Sequence, residues 1–370
     1  MKILQLGKFY PIGGGVEKVM YDLMLGLSAR GVDCDMMCAI KEAESRVEKL
    51  NDNANLICCS ALTKAAATML SPSMVQTLYK VSQEYDIIHI HHPDPMACVA
   101  LYFSGYKGRV VLHWHSDILK QKHLLKLYQP FQNWMIQRAD IIVGTTPIYI
   151  SESPYLTDVQ HKTTYLPIGV VSEGMPADTN NHIKERYAGK KIIFSLGRLV
   201  EYKGYTYLID AAKYLSDEYI ILIGGTGPLR KKLQAQIDAE GLGDKVKLLG
   251  YVTDEELPLY YDACSLFVLS SVYKTEAFGI VQIEAMSHSR PVIATTIAGS
   301  GTHWVNAHQE SGLNVTPGNS QELAQAIVDI TGDKDRYELY CKNARNRYEQ
   351  VFTYEKMIDN CLEIYKSIMK

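Results

Sequence analysis

Residues 2–40 read KILQLGKFYPIGGGVEKVMYDLMLGLSARGVDCDMMCAI. Two apolar runs, KILQLG (2–7) and VDCDMMCAI (32–40), flank VEKVMYDLMLGLSARG (16–31), whose apolar residues recur at helical spacing. Runs that are apolar on successive residues have both faces buried. Strands of that kind separated by helices form parallel sheets covered on both sides. The pattern continues through NLICC (55–59), DIIHIHH (86–92), RVVLHWHS (109–116), IIVGTT (141–146) and TTYLPIG (163–169). A second series follows in KIIFSLGRL (191–199), YIILIGG (219–225), VKLLG (246–250), LFVLSS (266–271) and PVIATT (291–296), with helical stretches such as GPLRKKLQAQIDAEGLG (227–243) between them. The reading is α/β, with two doubly wound, Rossmann-like domains.

At 370 residues the chain exceeds what one ordinary core supports, so two domains of roughly 170–190 residues are expected. The polar stretch VVSEGMPADTNNHIKERYAGK (170–190) lacks a β run and marks the junction. The expected division is an acceptor-side domain at 1–170, a linker at 171–190, a second domain at 191–350 and a terminal helix at 351–370. Such domains would face a cleft at the carboxyl ends of their strands. A net charge of −3 excludes a general nucleic-acid binder. The eight cysteines show no CxxC or zinc-like spacing and read as reduced, buried thiols. The first residues are β-like and carry no signal-peptide h-region, and no window approaches the ~20 apolar residues of a membrane span. A cytoplasmic location is expected.

Residues 273–287, YKTEAFGIVQIEAMS, place Glu276 before a Phe-Gly step and Glu284 eight residues on, among Ile283, Ala285 and Met286. A carboxylate in that setting needs a partner or a ligand. In FSLGRLVEYKG (194–204), Arg198 and Lys203 follow a strand within one loop and can reach a single anion. Solvated loop charges are the alternative. LIGGTGP (222–228) and Gly13–Gly15 supply two further glycine-rich strand-to-helix turns, suited either to close backbone approach to an anion or simply to a tight turn. Neither matches GxGxxG or a P-loop. Seven of the eleven histidines fall before residue 170. His89, His91 and His92 sit at one strand end and His113 and His115 at the next, the last two on one face. Their spacing to Asp94 and Asp117 matches no recognised metal site. Asp33-Cys34-Asp35 resembles DxD but falls at a strand start.

Taken together, GRLVEYKG, LIGGTGP, LLGYVTDEEL and EAFGIVQIEAMSHSRPVIAT resemble the retaining GT-B glycosyltransferases of the glycogen synthase and bacterial mannosyltransferase group. The resemblance runs from GKFYPIGGGVEKV to the helical tail, and Glu276-x7-Glu284 is its most specific element. It implies two Rossmann-like domains, a donor bound mainly by the second, and a last helix that crosses back onto the first. Carried over by position, Arg198 and Lys203 bind the donor pyrophosphate and the backbone around Gly250, Tyr251 and Val252 faces the base. Glu284 accepts from the ribose hydroxyls and Glu276 holds the transferred sugar. The amides of Phe278, Gly279, Ile280 and Val281 meet phosphate and sugar oxygens. Gly225 adds a close backbone approach, and Gly14 and Gly15 close over the donor. His115 matches the family's histidine beside the reacting sugar, with His113 its competitor.

The expected activity is a retaining hexosyl transfer, with mannose from GDP-mannose favoured, to a glycan or lipid-linked acceptor in bacterial surface polysaccharide or lipopolysaccharide biosynthesis. Neither a metal nor a prosthetic group is called for. A sugar-nucleotide epimerase and a non-catalytic nucleotide-sugar-binding subunit are the alternatives. Residues 105–139 set Lys107, Arg109, Lys120, Lys122, Lys126 and Arg138 against Asp117 alone, interleaved with Leu124, Leu125, Leu127, Tyr128, Phe131, Trp134 and Met135. This stretch reads either as a core helix with solvated lysines, kinked or ended at Pro130, or as a patch for anionic membrane.

Overall fold

The structure is a computed structural model. It describes all residues except 43, 66–67, 119–121 and 173–180, and leaves aside the side chains of 65 and 122–125 as well. The chain forms two compact units, residues 1–168 with 355–370, and residues 169–354.

The first unit carries strands β1 (Lys2–Phe9), β2 (Asp33–Ile40), β3 (Arg46–Asn51), β4 (Ala54–Ser60), β5 (Thr63–Ala65), β6 (Thr68–Leu70), β7 (Ile87–His92), β8 (Arg109–Trp114), β9 (Ile141–Gly144) and β10 (Thr163–Tyr165). Eight of them form one sheet in the order β10-β9-β8-β7-β1-β2-β4-β3, and β5 and β6 pair separately. Only β3 runs antiparallel within that sheet. It is an edge strand whose RVEKLN mixes charged and apolar residues and is buried on neither face, unlike the apolar runs of the central strands. The central strands are buried on both faces because helices cover each side: β2 is buried at seven of its eight positions and β7 at all six. Asp33 opens β2, and Asp35 accepts from the Asn55 backbone and from Tyr85 Oη. The Asp-Cys-Asp triplet is therefore a strand start tied to its neighbours.

The second unit carries β11 (Lys191–Leu196), β12 (Tyr219–Gly224), β13 (Val246–Gly250), β14 (Leu266–Leu269), β15 (Val292–Thr295) and β16 (Gly312–Val315), all parallel in the order β13-β12-β11-β14-β15-β16. Its core joins Ile193, Ile221, Val268 and Ile293 of the sheet to Leu208, Leu233, Leu323 and Ile327 of the covering helices. The chain winds outward one way from β11 and the other way from β14. The loops after these two strands thus flank the topological switch point, where ligands of doubly wound sheets bind.

Two expectations need correction. The stretch anticipated as a linker belongs to the second unit wherever it is described. Val170 bridges to Thr353, and Asn181, which caps the helix His182–Arg186, donates to the Leu259 carbonyl at 2.9 Å. Pro130 neither ends nor splits the helix Lys122–Arg138, which runs through it. The terminal helix Tyr354–Met369 returns to the first unit, burying Met357, Ile358, Cys361 and Tyr365. No described helix is long and apolar enough to cross a membrane. All eight cysteines are free thiols, and only Cys341 is not fully buried.

Candidate functional site

The loop after β11 and the loop after β14 are joined by an ion pair. Lys203 Nζ lies 2.5 Å from Glu276 Oε2, each side chain only 11% exposed. Ser271 Oγ donates to the same oxygen at 2.8 Å, and Ser300 Oγ donates to the Glu276 carbonyl at 2.5 Å. Two donors therefore saturate Oε2, while Oε1 accepts nothing from the described residues. Lys203 keeps two further N–H groups. The pair is internally neutral, yet it presents both a donor and an acceptor at the switch point.

Gly279 follows Glu276 by three residues and caps the helix Ile280–Ser287 with φ +79°. A Cβ there would stand 2.6 Å from Leu269 Cδ2, so glycine meets both the left-handed conformation and the packing. None of the backbone N–H groups of 278–281 meets an acceptor among the described residues. Four amides at a helix start form an anion-binding surface. The Phe278 side chain is buried edge-to-face against Phe352, so only its backbone is on offer.

One turn on, Glu284 already has a protein partner. Tyr261 Oη donates to its Oε2 at 2.7 Å, and burial, with Glu284 beside it, pushes the Tyr261 phenol well above its usual range. The sequence calls for a partner or a ligand at Glu284, and the resemblance implies the ribose hydroxyls. The structure places one carboxylate oxygen on Tyr261, which fixes the side chain's direction. Arg198 is exposed, held loosely by Tyr202 Oη at 3.5 Å. Tyr251 is 72% exposed just past edge strand β13, and Val252 beside it is half-buried.

Gly225 has a different reason to be glycine than the one expected. At φ +123°, its Cβ would lie 2.0 Å from the Gly197 carbonyl oxygen. The loops after β11 and β12 pack backbone to backbone there, with Gly197 N–H donating to the Gly224 carbonyl at 3.1 Å. The glycine is first a packing requirement, and through it the Arg198 loop is set against β12.

In the first unit, Gly14 caps the helix Gly15–Ala29, and Gly13–Gly15 are all exposed. His113 and His115 do share a face, their rings stacked at 3.9 Å. That row extends to His89 and His91 of β7. His115 Nε2 lies 2.9 Å from His91 Nδ1, and His89 Nε2 lies 3.2 Å from His113 Nδ1. Burial lowers the pKa of all four, that of His113 to about 3. Nitrogens of His89, His91 and His113 lie within 4.8 Å of one another, close enough to suggest a metal. Both His91 nitrogens are nevertheless spent on hydrogen bonds, Nδ1 to His115 and Nε2 to the Gln5 amide oxygen.

Lys8, at the end of β1, escaped the sequence reading. Its φ of +60° is rare outside glycine. Its Nζ donates to the Pro93 carbonyl at 2.5 Å, and burial lowers its pKa beside Asp94. The only available signal was its position after the first strand. A cavity of ≈ 550 Å³ in this unit lies elsewhere, beside Asp86, Arg109 and Asp140 where β7, β8 and β9 begin.

Comparison with known proteins matches residues 177–347 to "Glycosyl transferases group 1" and residues 13–150 to "Glycosyltransferase Family 4". The O-antigen chain mannosyltransferase C of Escherichia coli is 31% identical over 374 residues, covering 100% of this chain and 99% of that protein. The chain belongs to the GT-B glycosyltransferases. The D-rhamnosyltransferase WbpZ of Pseudomonas aeruginosa is 30% identical, over 95% of this transferase and 92% of its own length. Among solved structures, a sucrose-phosphate synthase from Thermosynechococcus elongatus superposes with a TM-score of 0.81 at 22% identity, covering 100% and 99% of the two chains. Anabaena Alr3699/HepE in complex with UDP gives 0.80 at 22%, covering 99% and 100%. Both confirm the fold of the transferase.

The buried pair predicts a measurable coupling. Lys203→Met or Glu276→Gln alone strips the other member of its counter-group and is expected to cost about 3 kcal/mol. The double variant is expected to cost clearly less than the sum. Thermal unfolding of the four proteins checks this, and strict additivity would show that the pair is not coupled.

Proposed function

We propose that the transferase moves a hexose, with retention of anomeric configuration, from a nucleoside diphosphate to a glycan or lipid-linked acceptor of a bacterial surface polysaccharide. The observation that carries this reading is the Lys203–Glu276 pair beside the open amides of 278–281. One pair of neighbouring groups then serves a phosphate and a sugar together. Lys203, Arg198 and the helix N-terminus face the pyrophosphate, whose negative charge grows as the bond to C1 breaks. Glu276 Oε1 accepts from a hydroxyl of the transferred sugar. Glu284, aimed by Tyr261, accepts from the ribose, and Tyr251 with Val252 lies along the base. Gly14, Gly15 and Gly225 bring backbone to the donor, and His115 attends the reacting sugar.

In the step itself the C1–O bond to the diphosphate breaks and the acceptor oxygen bonds C1 from the same face. The departing phosphate oxygen takes the acceptor's proton. The cationic groups supply the counter-charge, so the reaction is assigned no metal or other cofactor. Two relatives at 30% identity or above that match over nearly their full length are named for mannose and D-rhamnose, and D-rhamnose is 6-deoxy-D-mannose. That shared ring supports a manno-configured donor, which we assign as GDP-mannose. Incubation with a panel of nucleotide sugars, scoring free nucleoside diphosphate, should single out GDP-mannose. EDTA should leave the rate unchanged, and a strict, restorable metal requirement would overturn the metal-independent mechanism. Glu284→Ala should weaken nucleoside diphosphate binding by roughly 1.5–3 kcal/mol, and unchanged affinity by calorimetry would remove Glu284 from the ribose.

We place the transferase in the cytoplasm, at the membrane face. Along the helix Lys122–Arg138, Lys126 and Leu127 are exposed, the latter at 76%. Phe131 and Trp134 meet Tyr102 edge-on at 5.3 and 4.9 Å, and Tyr102 and Phe103 remain largely exposed. Lys120 and the side chains of Lys122, Leu124 and Leu125 lie outside the described residues. Arg109 and Arg138 are paired with Asp140, just beyond residues 105–139, which leaves Lys107 and Lys126 as the basic side chains without an ion pair among the described residues. Anionic but not neutral vesicles should co-sediment with the protein, each basic residue contributing about 1 kcal/mol. Salt, or Lys120, Lys122 and Lys126 together changed to Glu, should release it. Indifference to lipid charge would return the segment to a core helix with solvated lysines.

A further inference from the structure

The histidine row of the first unit is wired to the terminal helix through one buried amide. Tyr365 Oη lies 2.6 Å from His89 Nδ1, and Gln5 Nε2 lies 3.0 Å from that same phenol oxygen. On its other side, Gln5 Oε1 lies 2.8 Å from His91 Nε2, whose ring reaches His115 Nε2 through Nδ1 at 2.9 Å. Gln5 and His91 have no exposure, and His115 keeps 5%.

These distances give the chain a direction. A contact of 2.6 Å falls within the range of O–H donors and below the usual N–H···O range, so the phenol donates to His89. A phenol has only one hydrogen, so it must accept from Gln5. The amide nitrogen therefore faces Tyr365, and Gln5 Nε2 also points at Cys34 Sγ, 3.7 Å away. The amide oxygen then faces His91, which must donate from Nε2. A neutral His91 has a bare Nδ1, so the proton between the two rings belongs to His115 Nε2. Burial keeps both imidazoles neutral at ordinary pH, with neighbouring ring and Lys8 charges acting the same way.

We propose that Gln5, oriented by Tyr365, is a positioning residue that holds His91 and His115 as Nε2–H tautomers, so that His115 presents an unprotonated Nδ1 as a hydrogen-bond acceptor. That nitrogen suits a hydroxyl hydrogen of sugar or acceptor and cannot protonate a leaving group. This last step rests on the role given to His115 above, whereas the tautomer does not. The sequence alone could not show the arrangement, because Gln5, His91, His115 and Tyr365 come from four separate segments.

The test is a two-bond 15N–1H correlation spectrum of the full-length protein labelled at histidine, near pH 7.5 and without ligand. The His115 signals are identified by their loss in His115→Ala. The native spectrum should show His115 with its proton on Nε2, and an Nδ1–H tautomer would overturn the proposal. In Gln5→Met, His115 should become a tautomer mixture and kcat should fall by about tenfold, the worth of one hydrogen bond. The Kd for nucleoside diphosphate should not move. An unchanged His115 tautomer in that variant would equally overturn the role of Gln5, and the native spectrum decides even if Gln5→Met does not fold. Full turnover by His115→Ala would remove His115 from the chemistry while leaving the tautomer assignment standing, so the two failures are distinct.

Discussion

A lysine and a glutamate 73 positions apart share a nearly buried ion pair at the switch point of the second sheet. Much of that unit's local order depends on it. Burying either charge alone would be costly, so the loops after β11 and β14 must stay together wherever one of them folds. Ser271, Ser300 and the Gly279 turn then fall into place around Glu276. The same constraint leaves Glu276 Oε1 and the amides of 278–281 without hydrogen-bond partners among the described residues. An interaction that costs stability if broken also leaves a donor and an acceptor uncommitted beside it.

The first unit meets the same problem, polar groups inside an apolar sheet, without charge. Four of its histidines, His89, His91, His113 and His115, are buried and neutral, and they hydrogen-bond in pairs across a stacked row. Such a network persists only if its members are aligned. Tyr365 on the terminal helix and Gln5 on β1 supply that alignment. The return of residues 355–370 to this unit is thus part of the histidine row's construction as well as a hydrophobic cover. Lys8, with its left-handed backbone at the end of β1, lies near the same residues and tells against protonation there.

Much of the fold was legible because the central strands are apolar on both faces. That pattern located β1, β2, β4, β7 to β15 within a few residues. It missed β3, β5, β6 and β16, which are short or at an edge and carry mixed polarity. The glutamate pair, the basic pair and the glycine turns were legible as candidates because charge in apolar company and glycine runs stand out locally. Gly225 shows the limit of that reasoning. Its sequence context suggested a ligand, whereas the nearest obstacle to a side chain is the Gly197 carbonyl, 28 positions away.

What the sequence determined by itself was the class of fold and the set of residues able to carry the chemistry, since both follow from local composition and period. Three things waited for the tertiary structure: that Lys203 pairs with Glu276, that Glu284 leans on Tyr261, and that Gln5 joins two histidine strands to the terminal helix. Each is a meeting of side chains between 23 and 360 positions apart in the chain. Partners at such separations are chosen by strand order and by the need to satisfy buried polar groups. Neither is written in any one stretch of sequence.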